Sequence, residues 1–174
     1  MIAEADGYST HQVPLISAVM QTKGAIIELG TGIYSTPLLH EICGNRPLLS
    51  VDSDPEWLDN FRYLETENHK LLAIENHDWL QSEAYINTLA NEGGIGVVFV
   101  DQGDVEARAV SIAFCADKAD IIVVHDSNVA AYGYPEAFEP FRYMYEYTPH
   151  TLHTVVLSNV VDFQLQNEIG YNVR

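Results

Sequence analysis

The run Ala25-Ile-Ile-Glu-Leu-Gly-Thr-Gly-Ile-Tyr-Ser-Thr-Pro37, followed by Leu48-Leu-Ser-Val-Asp52, decides the fold of this chain. An apolar strand reaches an acid at Glu28 and turns at Gly30 and Gly32. A helix starts at once, and a second apolar strand ends in a carboxylate 22 residues after Gly30. That is the layout of a nucleotide-type cofactor site at the mouth of a βαβ unit. The glycines let the backbone approach a ligand, and the acid on the second strand can accept two hydrogen bonds from a ribose diol.

Outward from that unit the strand signals continue. Lys70 to Glu75, Val97 to Asp101 and Ile121 to Asp126 read as strands, the last two apolar on both faces as in a parallel sheet covered by helices. Helices are expected over 10–22, 36–43, from Asp54-Pro55, over 79–90 and 107–116, and near 136–146. Thr36-Pro37 and Asp54-Pro55 each read as an N-cap followed by a first-turn proline. Leu152 to Leu157 and Val160 to Leu165 read as a closing antiparallel pair. The expected architecture is a single α/β domain over residues 1–174. It is a doubly wound, mostly parallel seven-stranded sheet with a C-terminal antiparallel hairpin, a three-layer α/β/α sandwich. Glu28, Asp52, Asp101 and Asp126 all fall at strand ends, where open sheets of this kind bind ligands.

Composition narrows the function. At 174 residues and 47% apolar content the chain can enclose a core. No run of 18 apolar residues predicts a membrane helix, and Met1 to Gly7 lacks the basic and apolar regions of a secretory signal. Cys43 and Cys115 sit in apolar helical stretches and read as buried free thiols. A reducing, cytoplasmic setting follows. Three lysines and five arginines against a net charge of −17 give no basic cluster, so nucleic acid is not an expected partner. Solubility accounts for most of this acidity.

With those residues in place, the chain resembles the class I S-adenosylmethionine-dependent methyltransferases from about residue 24 to 165. Their first motif, an acid, an apolar residue and Gly-x-Gly, matches Glu28-Leu29-Gly30-Thr31-Gly32. The resemblance implies that Asp52 binds ribose, with the adjacent Ser53 at the cofactor, that Asp78 reaches the adenine, and that Asp101 faces methyl donor and acceptor; Trp79 packs beside the adenine or is a core tryptophan. Tyr34 replaces the usual third glycine, so Ser35 and Thr36 are expected to supply the contacts there. Adenosylmethionine has no pyrophosphate and needs no third glycine, and Glu28 can help hold its cationic methionine end. Val124-His125-Asp126-Ser127 is similar to the subset with a His-Asp-Ser/Thr ending to strand five.

Asp101 and Asp126 end neighbouring strands, and two charges about 5 Å apart cost roughly 3 kcal/mol at an effective dielectric near 20. A Mg²⁺ ion on Asp101, Asp126 and Asn128, similar to the catechol-type enzymes, would offset this. So would Arg108 folding back from its helix, or a proton on His125. His125 is the best-placed general base, the alternative being a structural histidine bonded to an adjacent acid, while Tyr132 and Tyr134 line an acceptor pocket, act as a lid or are plain loop residues. His69, His77, His150 and His153 lack regular zinc spacing. The expected activity is in-line methyl transfer to a small-molecule or sugar-like hydroxyl. Loops 1–12 and 127–137 are expected to cover the acceptor, helped by the second subunit if the protein is a homodimer. A cofactor-binding relative without catalysis, or an NAD-dependent oxidoreductase, are the alternatives. The turn lacks Gly-x-Gly-x-x-Gly, which counts against the second.

Overall fold

The computed structural model describes residues 7–75 and 78–165. Seven strands form one sheet in the order β3-β2-β1-β4-β5-β7-β6. β1 (Ala25–Leu29), β2 (Leu48–Asp52), β3 (His69–Ala73), β4 (Ile95–Val100) and β5 (Ala119–His125) are parallel. β7 (Thr154–Ser158) runs antiparallel to both β5 and β6 (Tyr143–Tyr147). The chain winds outward from β1 to β3, then restarts at β4 on the other side, so the switch point lies between β1 and β4. His77 falls outside the described residues.

Strand periodicity divides the apolar side chains between two cores, because successive residues face opposite sides. Ile27, Leu29, Val98, Val100, Ile122 and Val124 pack with Ile86 of α4 (Glu83–Glu92) and Ile112 of α5 (Val105–Cys115). Ile26, Leu48, Val97, Phe99, Ile121 and Val123 pack with Leu15 and Ala18 of α1 (Gln12–Gln21) and Leu39 of α2 (Thr36–Ile42). Helices therefore cover both faces, which gives the three-layer sandwich. Leu58 of α3 (Pro55–Asp59), with Phe61, Leu64 and Leu71, makes a smaller cluster at the β3 edge. Both cysteines are free and buried. Among the described residues no helix is long and apolar enough to cross a membrane.

Three expectations need correction. Residues 136–146 are not one helix: α6 (Tyr134–Phe138) is short, and Tyr143 to Tyr147 is the outermost strand. Tyrosines at every second position favour a pleated, half-buried surface. β7 consequently pairs backwards in sequence with β6, and residues 161–165 are coil with Phe163 and Leu165 buried. Thr36 is not a cap: α2 begins at Thr36 with Ser35 in the cap position, and neither the geometry nor a side-chain bond is that of a cap. Asp54 does cap α3, accepting from Glu56 N at 2.9 Å and Trp57 N at 3.0 Å.

Candidate functional site

The glycine turn is fixed from below by the sheet. Gly30 adopts φ +92°, and a Cβ there would run into the Asp101 carbonyl and the Gln102 amide. The ends of β1 and β4 thus meet backbone to backbone, with Asp101 N donating to Leu29 O at 2.8 Å. From β2, Asp52 closes the turn: its Oδ2 accepts from Thr31 N at 2.8 Å and Thr31 Oγ1 at 2.7 Å. Its Oδ1 accepts from Asp54 N at 3.0 Å. A carboxylate offers about four lone-pair directions, so one remains, enough for one ribose hydroxyl and not the diol. Ser53 is half-buried beside it. The Trp57 indole donates to Thr31 O at 2.9 Å.

Glu28 does not face a ligand space. Its side chain shares the α1/α2 face with Ile26 and is wholly buried. Thr36 Oγ1 donates to Glu28 Oε1 at 3.0 Å and accepts from Gly32 N at 2.9 Å. Burial pushes the Glu28 carboxyl up to about 7, against the pull of hydroxyls on Ser35, Ser50 and Thr36. The expectation that Glu28 holds a cationic methionine end is therefore corrected: strand alternation turns it inward, where it organises the turn.

Two cavities open at the carboxyl edge. One of about 420 Å³ lies between the Gly32–Ser35 segment, Trp57, Asp101, Arg108, His125 and Asp126, with Tyr8 and His11 on the N-terminal side. Another of about 290 Å³ lies beyond β4, between Leu29, Asp78, Trp79, Ile86, Asp104 and Phe114. Of the cofactor residues expected from sequence, Gly32, Ser35 and Asp101 line the first and Asp78 and Trp79 the second. Glu28, Gly30, Thr31, Thr36, Asp52 and Ser53 line neither.

Asp101 is the centre of the larger cavity's polar wall. Its Oδ1 accepts from Arg108 Nη2 at 3.0 Å and lies 3.1 Å from His125 Nδ1, which donates in the matching tautomer. Arg108, buried on α5, also donates to Gln102 O at 2.6 Å, His125 O at 3.0 Å and Tyr134 Oη at 3.1 Å. Its guanidinium sits 4.1 Å over the Tyr132 ring. His125 Nε2 is 3.1 Å from Thr10 Oγ1. Asp126 has φ 57°, a left-handed conformation rare outside glycine. Its Oδ2 is 3.9 Å from Arg108 Nη1, while its buried Oδ1 has no hydrogen-bond partner. Burial raises the Asp126 carboxyl above its ordinary range, with His125 and Arg108 opposing and Asp101 adding.

Arg108 therefore supplies the counter-charge that the two strand-end acids require. Asn128 is occupied elsewhere: its Nδ2 donates to Thr151 O and its Oδ1 accepts from His153 N, each at 2.9 Å. The oxygen-ligand set for Mg²⁺ on Asp101, Asp126 and Asn128 is thus not assembled. Tyr134 is no lid either; it is buried against Arg108, and burial pushes its hydroxyl up to about 12.

Sequence reading passed over His11. It stands at the start of α1, 2% exposed, 4.8 Å centroid to centroid from His125 and 4.7 Å from Phe99. Neither of its ring nitrogens has a hydrogen-bond partner, and burial, with His125 adding, lowers its basicity to about 4. Nothing local marks it, because its neighbours lie about 90 to 115 positions away in sequence.

No protein-family model matches the chain, and no curated protein matches it by sequence. Solved structures do. A cofactor-bound protein, Rv0187 from MTB, superposes with a TM-score of 0.62 at 18% identity, covering 92% of this chain and 83% of that one. The O-methyltransferase TomG from Streptomyces achromogenes, solved with adenosylmethionine, gives 0.61 at 12% identity over 90% and 82%. Spermidine synthase from Thermotoga maritima gives 0.61 at 11% identity over 97% and 67%. The chain has the class I adenosylmethionine-dependent methyltransferase fold. At these identities the likeness is one of fold, which chains of different activity share.

Proposed function

We propose that this protein is an S-adenosylmethionine-dependent methyltransferase acting on a small-molecule or sugar-like hydroxyl. The observation that carries the reading is Asp101, held by Arg108 and His125 in a cavity whose opposite rim is the glycine turn after β1. Its volume falls within the ordinary range for small-ligand sites. Adenosylmethionine, when bound, supplies an electrophilic methyl group on a sulfonium.

The protein's part is then chiefly to position. Gly30 packs the end of β1 against the Asp101 backbone, and Asp52 ties Thr31 down so that the Gly32 to Ser35 rim is preformed. The remaining lone pair of Asp52 meets one ribose hydroxyl, and Asp78 and Trp79 meet the adenine through the second cavity. Asp101 orients the acceptor oxygen, with His125 beside it. Fixing two reactants in line is itself worth several kcal/mol. TomG, an O-methyltransferase of tomaymycin synthesis solved with adenosylmethionine, is a precedent for O-methylation on such a frame.

Calorimetry with adenosylmethionine and with NAD tests the reading. Saturable binding of the sulfonium donor, and release of demethylated donor with an acceptor panel, is the expected result. Tighter binding of NAD would overturn it.

A further inference from the structure

We propose that His11, His125 and Asp101 form a site for one divalent transition-metal ion that prefers imidazole ligands, such as Zn²⁺ or Co²⁺. One ligand atom from each of the three lies within 4.8 Å of the others. Tetrahedral bonds of about 2.1 Å put neighbouring ligands about 3.4 Å apart, and His125 Nδ1 already stands 3.1 Å from Asp101 Oδ1. From at most 4.8 Å, His11 must close by about 1.4 Å to reach that spacing. No side-chain hydrogen bond holds it back: it lines the cavity, and both its nitrogens are without hydrogen-bond partners. Two buried polar atoms left in that state are unfavourable by themselves, which favours a ligand there.

Charge points the same way. With neutral imidazoles, Asp101 and Asp126 against Arg108 leave the site at −1, and the unpartnered Asp126 Oδ1 lies 3.5 Å from His125 Nε2. Arg108 is anchored to the Gln102 and His125 carbonyls, so it need not move. Asp101 Oδ2 carries neither of the bonds made by Oδ1. The ion takes the place of the proton between His125 and Asp101. That proton moves to Nε2, which then donates to Thr10 Oγ1, so binding at His125 releases none. Two nitrogens and one oxygen select a transition metal over Mg²⁺, in contrast to the oxygen set that Asn128 fails to complete. A bound ion would leave open positions for an acceptor hydroxyl.

The test is titration of the full chain with Co²⁺ in the absence of any donor. The expected result is one equivalent bound, visible ligand-field absorption, displacement by Zn²⁺ and none by Mg²⁺. His11→Gln removes a direct ligand and should weaken binding by at least about tenfold to a hundredfold, the loss typical of an outer partner alone. Absence of saturable uptake, unchanged affinity in His11→Gln, or equal competition by Mg²⁺ would overturn the proposal. Should His11→Gln fail to fold, nitrogen-detected histidine spectra of the unmodified protein decide. Zn²⁺ must shift the ring nitrogens of His11 and His125, and shifts confined to other histidines reject the site. Because no donor or acceptor is present, the outcome is independent of whether methyl transfer is the activity.

Discussion

Glu28 is a carboxyl with no exposure to water, whose proton is held up to about 7. A raised folded-state value means that the folded chain binds the proton more tightly than the unfolded one. The stability this contributes is full below the ordinary value of 4.5 and lost as pH rises through about 7. Glu28→Gln keeps an acceptor for Thr36 and removes the titration. Chemical denaturation from pH 4.5 to 8 should therefore show the variant gaining on the parent by about 3 kcal/mol, at about 1.4 kcal/mol per unit. Parallel curves would contradict it. Taking the difference cancels His69, whose basicity burial lowers to about 4 and which acts in the opposite sense. Gly30→Ala needs no titration: the positive φ and the collision with Asp101 should cost more than about 3 kcal/mol in urea unfolding, and a milder loss would mean that β1 and β4 can part. At this scale the sequence was legible where residue type carries the constraint, as with a glycine in a tight turn or a carboxylate at a strand end. It could not show that Asp52 spends three of its lone pairs on Thr31 and Asp54, nor that His11 lies beside His125. Both depend on distant segments meeting.

The elements follow the same division. β1, β2 and the capped start of α3 lie where apolar runs and Asp54-Pro55 put them, because burial on both faces leaves no competing period. The closing hairpin was displaced by one element. Val161, Phe163 and Leu165 alternate like a strand, yet the alternation serves a coil that presses Phe163 against Tyr145, 5.4 Å between ring centroids. Tyr143 to Tyr147 carries an equal alternation and wins the edge of β7, with Tyr145 opposite Val156. Alternation alone cannot distinguish a residue buried by a neighbouring strand from one buried beneath it. Phe163 should then work as a clamp on the edge strand. Phe163→Ala is expected to lower stability by about 3 kcal/mol with an unchanged denaturant slope, whereas Val160→Thr, at 67% exposed, should be neutral. Equal effects would mean that residues 160–165 do not brace the sheet.

For the molecule as a whole, fold and charge act on different terms. The sheet order, its switch point and the two cores come from apolar patterning, and salt does not change them. The net charge of −17 comes from 25 acids set against eight basic residues. Of those eight, Arg108 is buried within its pairs, and Arg46 is turned onto the carbonyls of Gly24 and Val19. Exposed pairs among the described residues involve Arg62 with Asp59 and Glu65, and Lys118 with Asp117, all local in sequence. Such pairs are worth little and lose little on screening. Repulsion among the remaining acids is long-ranged at about 0.01 M salt, where the Debye length is about 30 Å, and is cut short at about 0.15 M, where it is about 8 Å. Screening should therefore stabilise this protein. The thermal midpoint at pH 7.5 is expected to rise by about 3 °C or more across that range, equivalent to roughly 1 kcal/mol for a chain of this size. A falling midpoint would mean that attractive pairs, and not the acid excess, dominate the surface.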